Sequence, residues 1–216
     1  MKDQFYRIIT ILATIAYFIP VVIILLKRIW KDSYFLFLGI YWLLGAVVNS
    51  VMLMPGIGLP ALEVITVVYN MTDIPFVLWI LWYTSSSTLL AKVLKMIIIL
   101  YVVTELIVVI KLGINYEAIK YVMGAGVLVV LITLVWEITL YLQRMEHNNR
   151  EKAMLFIYAA FLFEYGSYTI VYIFDYFIIP SDQADKFLIY YISTLVAIMI
   201  ACFGFLIKKN NRLSTV

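Results

Sequence analysis

Seven runs of about twenty or more mostly apolar residues follow one another along the chain, separated only by short polar breaks. A helix needs roughly 20 apolar residues to cross the hydrocarbon of a bilayer. Each run is therefore expected to be a spanning helix. The runs cover residues 6–26, 34–54, 62–84, 93–112, 118–142, 153–178 and 187–207, and the breaks read KRIWKDS, PGIGLP, SSSTLLAK, KLGINYE, RMEHNNREK and PSDQADK. Breaks this short make consecutive helices antiparallel neighbours. The expected fold is an all-α membrane protein, one bundle of seven transmembrane helices in a single domain over residues 1–216. The first run is longer than the apolar core of a leader peptide and has no small-residue cleavage site after it, so it is expected to stay as a spanning helix.

Composition agrees, with 65% hydrophobic and only 13% charged residues, where a soluble domain carries about 25% charged residues. The net charge of +3 reports orientation rather than affinity for nucleic acid. The breaks after the first, third and fifth runs, with the C-terminal tail, hold eleven of the basic residues: Lys27, Arg28, Lys31, Lys92, Lys95, Arg144, Arg150, Lys152, Lys208, Lys209 and Arg212. The opposite side holds five, Lys2, Arg7, Lys111, Lys120 and Lys186. The positive-inside rule then puts the N-terminus outside and the C-terminus in the cytoplasm of a cell membrane crossed several times. Helices one to three laid over five to seven show Pro55 and Pro180 in matching places, but their polar residues do not superpose, so no internal repeat is assigned.

Carboxyls at bilayer depth cost at least ~2.5 kcal/mol each and mark functional sites by default. Asp73 lies near the middle of the third run and Glu164 near the middle of the sixth; Glu105 is somewhat outside the middle of the fourth, and Glu137 is nearer the cytoplasmic end of the fifth. In the third run Glu63, Thr66, Asn70 and Asp73 share one helical stripe, and Pro75 frees the carbonyl of Met71 beside Asp73, with a kink expected there. Glu164, Tyr168, Tyr172 and Asp175 form a second stripe. Asn49 and Ser50 of the second run, and Tyr190, Tyr191, Ser193 and Thr194 of the seventh, lie in the same half. Together they predict a tyrosine-rich pocket opening outward and floored by Asp73 and Glu164. Its expected ligand- or proton-binding residues are Asp73, Glu164, Asn70, Asn49, Glu105, Tyr168, Tyr172, Tyr191 and Thr194.

Plainer readings compete at several positions. Trp30, Trp42, Trp82, Tyr176 and Tyr190 read as interface anchors. Asn49 and Ser50, with Gly45 one turn away, read as helix-packing residues. Glu137 is close enough to the cytoplasmic end to pair with a loop Lys or Arg. Asp73 and Glu164 have no such explanation, because no Lys, Arg or His occupies the centre of any run. They are expected either to stay protonated and donate hydrogen bonds or to await a cation or proton.

Several classes are excluded. Seven helices with an outside N-terminus match retinal proteins and G-protein-coupled receptors in helix count alone. The seventh run, YYISTLVAIMIACFGF, has no lysine for a Schiff base, so no retinal cofactor is expected; no acidic-Arg-aromatic triplet ends the third run and no Asn-Pro pair lies in the seventh. One His and one Cys, Cys202, make neither a zinc site nor an intrachain disulfide. No Walker loop, dinucleotide turn, G-x-S-x-G or GxGD sequence is present. The leading expectation is a receptor-, carrier- or transporter-like protein binding a small molecule, cation or proton, with membrane lipid as its surroundings. A carboxylate-dependent intramembrane lipid enzyme, with Asp73 and Glu164 as its acid and base, ranks second, and a non-catalytic scaffold or partner subunit third.

Overall fold

The computed structural model describes the backbone of residues 2–177 and 183–207, and the side chains of 4–173 and 188–207. Asp175, Tyr176, Pro180, Lys186, Lys208, Lys209 and Arg212 lie outside the described side chains. Every regular element described is helical: α1 (Lys2–Ala16), α2 (Phe18–Leu26), a 3-10 turn (Ile29–Lys31), α3 (Ser33–Met52), α4 (Leu59–Thr84), α5 (Thr88–Leu112), α6 (Tyr116–Leu142), α7 (Asn149–Phe177) and α8 (Gln183–Ile207). Taking α1 and α2 as one span, seven helices are long and apolar enough to cross a membrane. The chain is thus a multi-pass membrane protein. Pro75 sits inside α4, which runs unbroken through it.

The polar breaks supply the caps that end one helix and begin the next. Asp32, Ser87 and Asn115 accept from backbone N–H groups in the first turns of α3, α5 and α6, satisfying donors that a helix start leaves open. Asn148 does the same for α7 through Arg150 and Glu151, while the Glu151 carboxylate accepts from the backbone of Asn148, closing a capping box. Gly113 ends α5 at φ +84°, a left-handed backbone that a side chain disfavours.

Six of the spans close a ring. Going round it, α1/α2 packs on α3, α3 on α4, α4 on α6, α6 on α7, α7 on α8, and α8 back on α1/α2. Among the described residues α5 touches only α4 and α6, so it lies outside the ring. Consecutive spans are neighbours as expected, and the added α4–α6 contact is what displaces α5. The ring is filled by aromatic side chains. Trp42 is fully buried and stacks on Phe161 across the bundle at 6.2 Å, with Tyr41 edge-on to both. Trp42 is therefore a core residue and not the interface anchor its position suggested: nine residues into α3 is close to mid-depth in a helix of 20.

Candidate functional site

Inside the ring, α3, α4, α6, α7 and α8 enclose a cavity of about 40 Å³ lined by Tyr41, Tyr69, Asn70, Asp73, Ile74, Met123, Val127, Glu164, Tyr165, Tyr168 and Tyr190. Helical spacing accounts for the grouping. Tyr69 and Asp73 are one turn apart on α4; Glu164, Tyr165 and Tyr168 span a little more than a turn of α7. The Tyr165 hydroxyl donates to Asp73 Oδ2 at 2.5 Å. Tyr41 and Tyr69 bring two more phenolic hydroxyls to the same carboxyl. Asp73 is thus held by tyrosines from three helices.

Glu164 is different. It is 8% exposed, within electrostatic reach of Asp73, and its Oε2 is buried without a hydrogen-bond partner. Tyr190 of α8, which also lines the cavity, meets the hydroxyl of Tyr17, the N-cap of α2, at 3.3 Å. Among the described residues no Lys, Arg or His lines the cavity, and no cluster of metal-ligating side chains occurs. The lining set offers oxygen acceptors and phenolic hydroxyls, the donor set of a hard or protonated cation rather than of zinc.

Of the residues expected at the site, Asp73, Glu164, Asn70 and Tyr168 line this cavity, and Asn49, Glu105, Tyr172, Tyr191 and Thr194 do not. Asn49 donates to the carbonyl of Gly45 in its own helix at 2.9 Å, and Ser50 to that of Ala46, so neither joins α3 to a neighbour. Glu105 is buried on α5, outside the ring, one turn from Tyr101, whose ring fills the space left by Gly126. The Tyr172 hydroxyl donates to the carbonyl of Lys120 over Gly124. Tyr191 packs with Ile9 and Ala13 and lies edge-on to Tyr6, and Thr194 is fully buried with an unpartnered hydroxyl. Of the first stripe on α4, Glu63 and Thr66 are also away from the cavity. Among the described residues, the cavity at the level of the carboxyls is small and lined by five tyrosines.

Sequence reasoning missed Tyr41, Tyr69 and Tyr165, and read Tyr190 both as a pocket residue and as an interface anchor. A signal was present in each case. Tyr41, Tyr69 and Tyr165 sit near the middle of their runs, below the interfacial belt where tyrosine has a ready explanation.

A second polar cluster lies at the end where α4 leaves and α7 begins. Glu137 is 2% exposed, yet it accepts from the hydroxyls of Ser85 and Ser86, in place of the loop cation expected for it. Arg144 pairs with Glu151 at 3.0 Å, and Arg150 lies 3.4 Å over the ring of Tyr34.

Beside the chamber, α3 and α4 part to leave an apolar groove of about 510 Å³ lined by Tyr41, Leu44, Val48, Val64, Ile65, Val68, Tyr69, Thr72, Asp73 and Phe76. Tyr41, Tyr69 and Asp73 belong to both. No protein-family model, curated protein or solved structure matches the chain.

Proposed function

We propose that the protein binds a cation or a proton at the Asp73–Glu164 pair, as a receptor, carrier or transporter with its N-terminus outside and its C-terminus in the cytoplasm. The observation that carries this reading is the unpartnered buried Oε2 of Glu164 beside a second carboxyl already held by tyrosines. Buried polar atoms normally have partners, and leaving a carboxylate without one costs several kcal/mol unless a cation or proton arrives. Size narrows the choice: about 10–15 Å³ admits one water, so a chamber of about 40 Å³ suits a proton, a hydrated proton or a small cation such as an ammonium head.

A binding experiment tests this. In detergent or nanodiscs, the thermal midpoint is followed against sodium, potassium, calcium and methylammonium chloride at constant ionic strength. One of these, or a shift in pH, is expected to raise the midpoint, by about 2.7 kcal/mol of stabilisation when the ligand stands at 100 times its Kd. The increment should vanish in Glu164→Gln, which keeps the shape of the side chain and removes its charge. Equal behaviour of wild type and Glu164→Gln across all cations and pH values would refute the proposal.

A further inference from the structure

We infer that the α3–α4 groove is a lateral entry and docking site for a lipophilic amine, a membrane-soluble molecule with one protonated amine and an apolar tail, drawn from the bilayer to Asp73. This rests on the carboxyl-site reading above and adds the class of ligand and its route. The walls are apolar and face the lipid: Leu44, Val64 and Val68 are 47%, 44% and 43% exposed on the outside of the bundle. The floor is polar, because Tyr41, Tyr69 and Asp73 line the groove and the inner chamber alike. The groove's residues on α4 run from Val64 to Phe76, which at 1.5 Å per residue is about 18 Å of helix, from near one membrane surface to mid-depth.

Charge and volume select the occupant. An apolar lining of this extent rejects a free hydrated ion, and its volume falls within the ~300–1,000 Å³ range of ligand pockets. A neutral lipid tail would fit the walls but bring no donor or charge to Asp73 or to the unpartnered Glu164 Oε2 behind it. A phosphate- or carboxylate-headed lipid would set an anion against Asp73 and Glu164. A primary amine satisfies both ends, with its tail along Leu44, Val64 and Val68 and its ammonium at Asp73, where Glu164 Oε2 lies behind as a further acceptor. Tyrosine rings around an ammonium add cation–π attraction.

Competition binding of dodecylamine, dodecanol and butylamine to the full chain in nanodiscs, read by native mass spectrometry, tests the inference. Dodecylamine is expected to bind at least about tenfold more tightly than dodecanol, since one hydrogen bond to a charged group is worth that much, and also more tightly than butylamine. Asp73→Asn should abolish the preference over dodecanol. Val68→Trp, which fills the groove from a lipid-facing position, should lose dodecylamine while keeping butylamine or methylammonium; Leu44→Trp on the opposite wall is the second variant should the first not fold. If both tryptophan variants bind dodecylamine as wild type does while Asp73→Asn does not, the lateral groove is refuted and the carboxyl site stands. If Asp73→Asn and Glu164→Gln bind every amine as wild type does, the carboxyl site fails and the groove proposal with it. Equal binding of dodecanol and dodecylamine to wild type means ordinary lipid occupancy and overturns the inference.

Discussion

Removing the Tyr165 hydroxyl tests whether Asp73 is held by its tyrosines. Tyr165 is 4% exposed and its hydroxyl lies 2.5 Å from Asp73 Oδ2, so Tyr165→Phe deletes one donor and little volume. Two magnitudes compete. A hydrogen bond to a charged group is worth about 1.5–3 kcal/mol in soluble proteins, whereas polar contacts between membrane helices average about 0.6 kcal/mol, with a maximum near 1.7, because the unfolded helix also finds partners. A hydrogen bond between two spanning helices belongs in the membrane range, and the hydroxyls of Tyr41 and Tyr69 remain to compensate in part. We expect Tyr165→Phe to cost about 1 kcal/mol. Asp73→Leu should cost more, since it strands three hydroxyls at once. The interaction itself is read from a cycle of Tyr165→Phe, Asp73→Leu and the double variant, measured by reversible unfolding in mixed detergent. A coupling energy of about 1–1.5 kcal/mol is expected. Coupling below about 0.3 kcal/mol, within the additivity of unconnected sites, would refute the cage around Asp73.

Two further predictions follow from orientation and packing. In a Cys202→Ser background, Glu146→Cys should be shielded from an impermeant thiol reagent in intact cells and Asp182→Cys should react; the reverse pattern overturns the orientation drawn from the basic residues. A Cβ on Gly204 would lie 2.7 Å from the backbone carbonyl of Ala153, and one on Gly166 would meet nothing within 4 Å. Gly204→Ala should therefore destabilise by about 1–3 kcal/mol by prising α8 from α7, while Gly166→Ala should be neutral or gain up to about 1 kcal/mol from helix propensity; the same unfolding assay compares them, and an equal response would refute the close α7–α8 contact.

The seven spans were legible because their signal is local: about twenty apolar residues and a polar break are enough, whatever surrounds them. The site was legible only in part. Asp73 and Glu164 could be picked out since a carboxyl at mid-depth needs a reason wherever its helix packs. Which residues meet them depends on how the helices rotate and on which span leaves the ring, and no single run records that. Glu105 shows the difference. It lies only somewhat off the middle of its run, but α4 and α6 pack directly, so α5 carries it outside the ring against Tyr101. Tyr172 and Asn49 were expected at the pocket, but their hydrogen bonds run to backbone carbonyls that a stripe of side chains does not display. Trp42 was open to an anchor reading and proves to be core, because Phe161 from α7 packs against it and against Tyr41.

Three carboxyls within the spans, the buried Glu137 and Glu164 and the half-buried Asp73, differ in how they are satisfied. Glu137, at the end of its helix, has hydroxyls from Ser85 and Ser86 on its two oxygens; it ties the α4–α5 turn to α6, and stability alone explains it. Asp73 has tyrosines from α3, α4 and α7, a set that both stabilises the carboxyl and fixes where it points. Glu164 has neither. A buried acid with an orphaned oxygen gains the fold nothing, and well-packed apolar replacements of buried charges are often neutral or stabilising. Glu164→Leu should then leave the ligand-free protein at least as stable as wild type. On the function proposed above, Glu164 is the group that would take an interaction from outside the fold, and Asp73 beside it would supply the second acceptor for a bound cation.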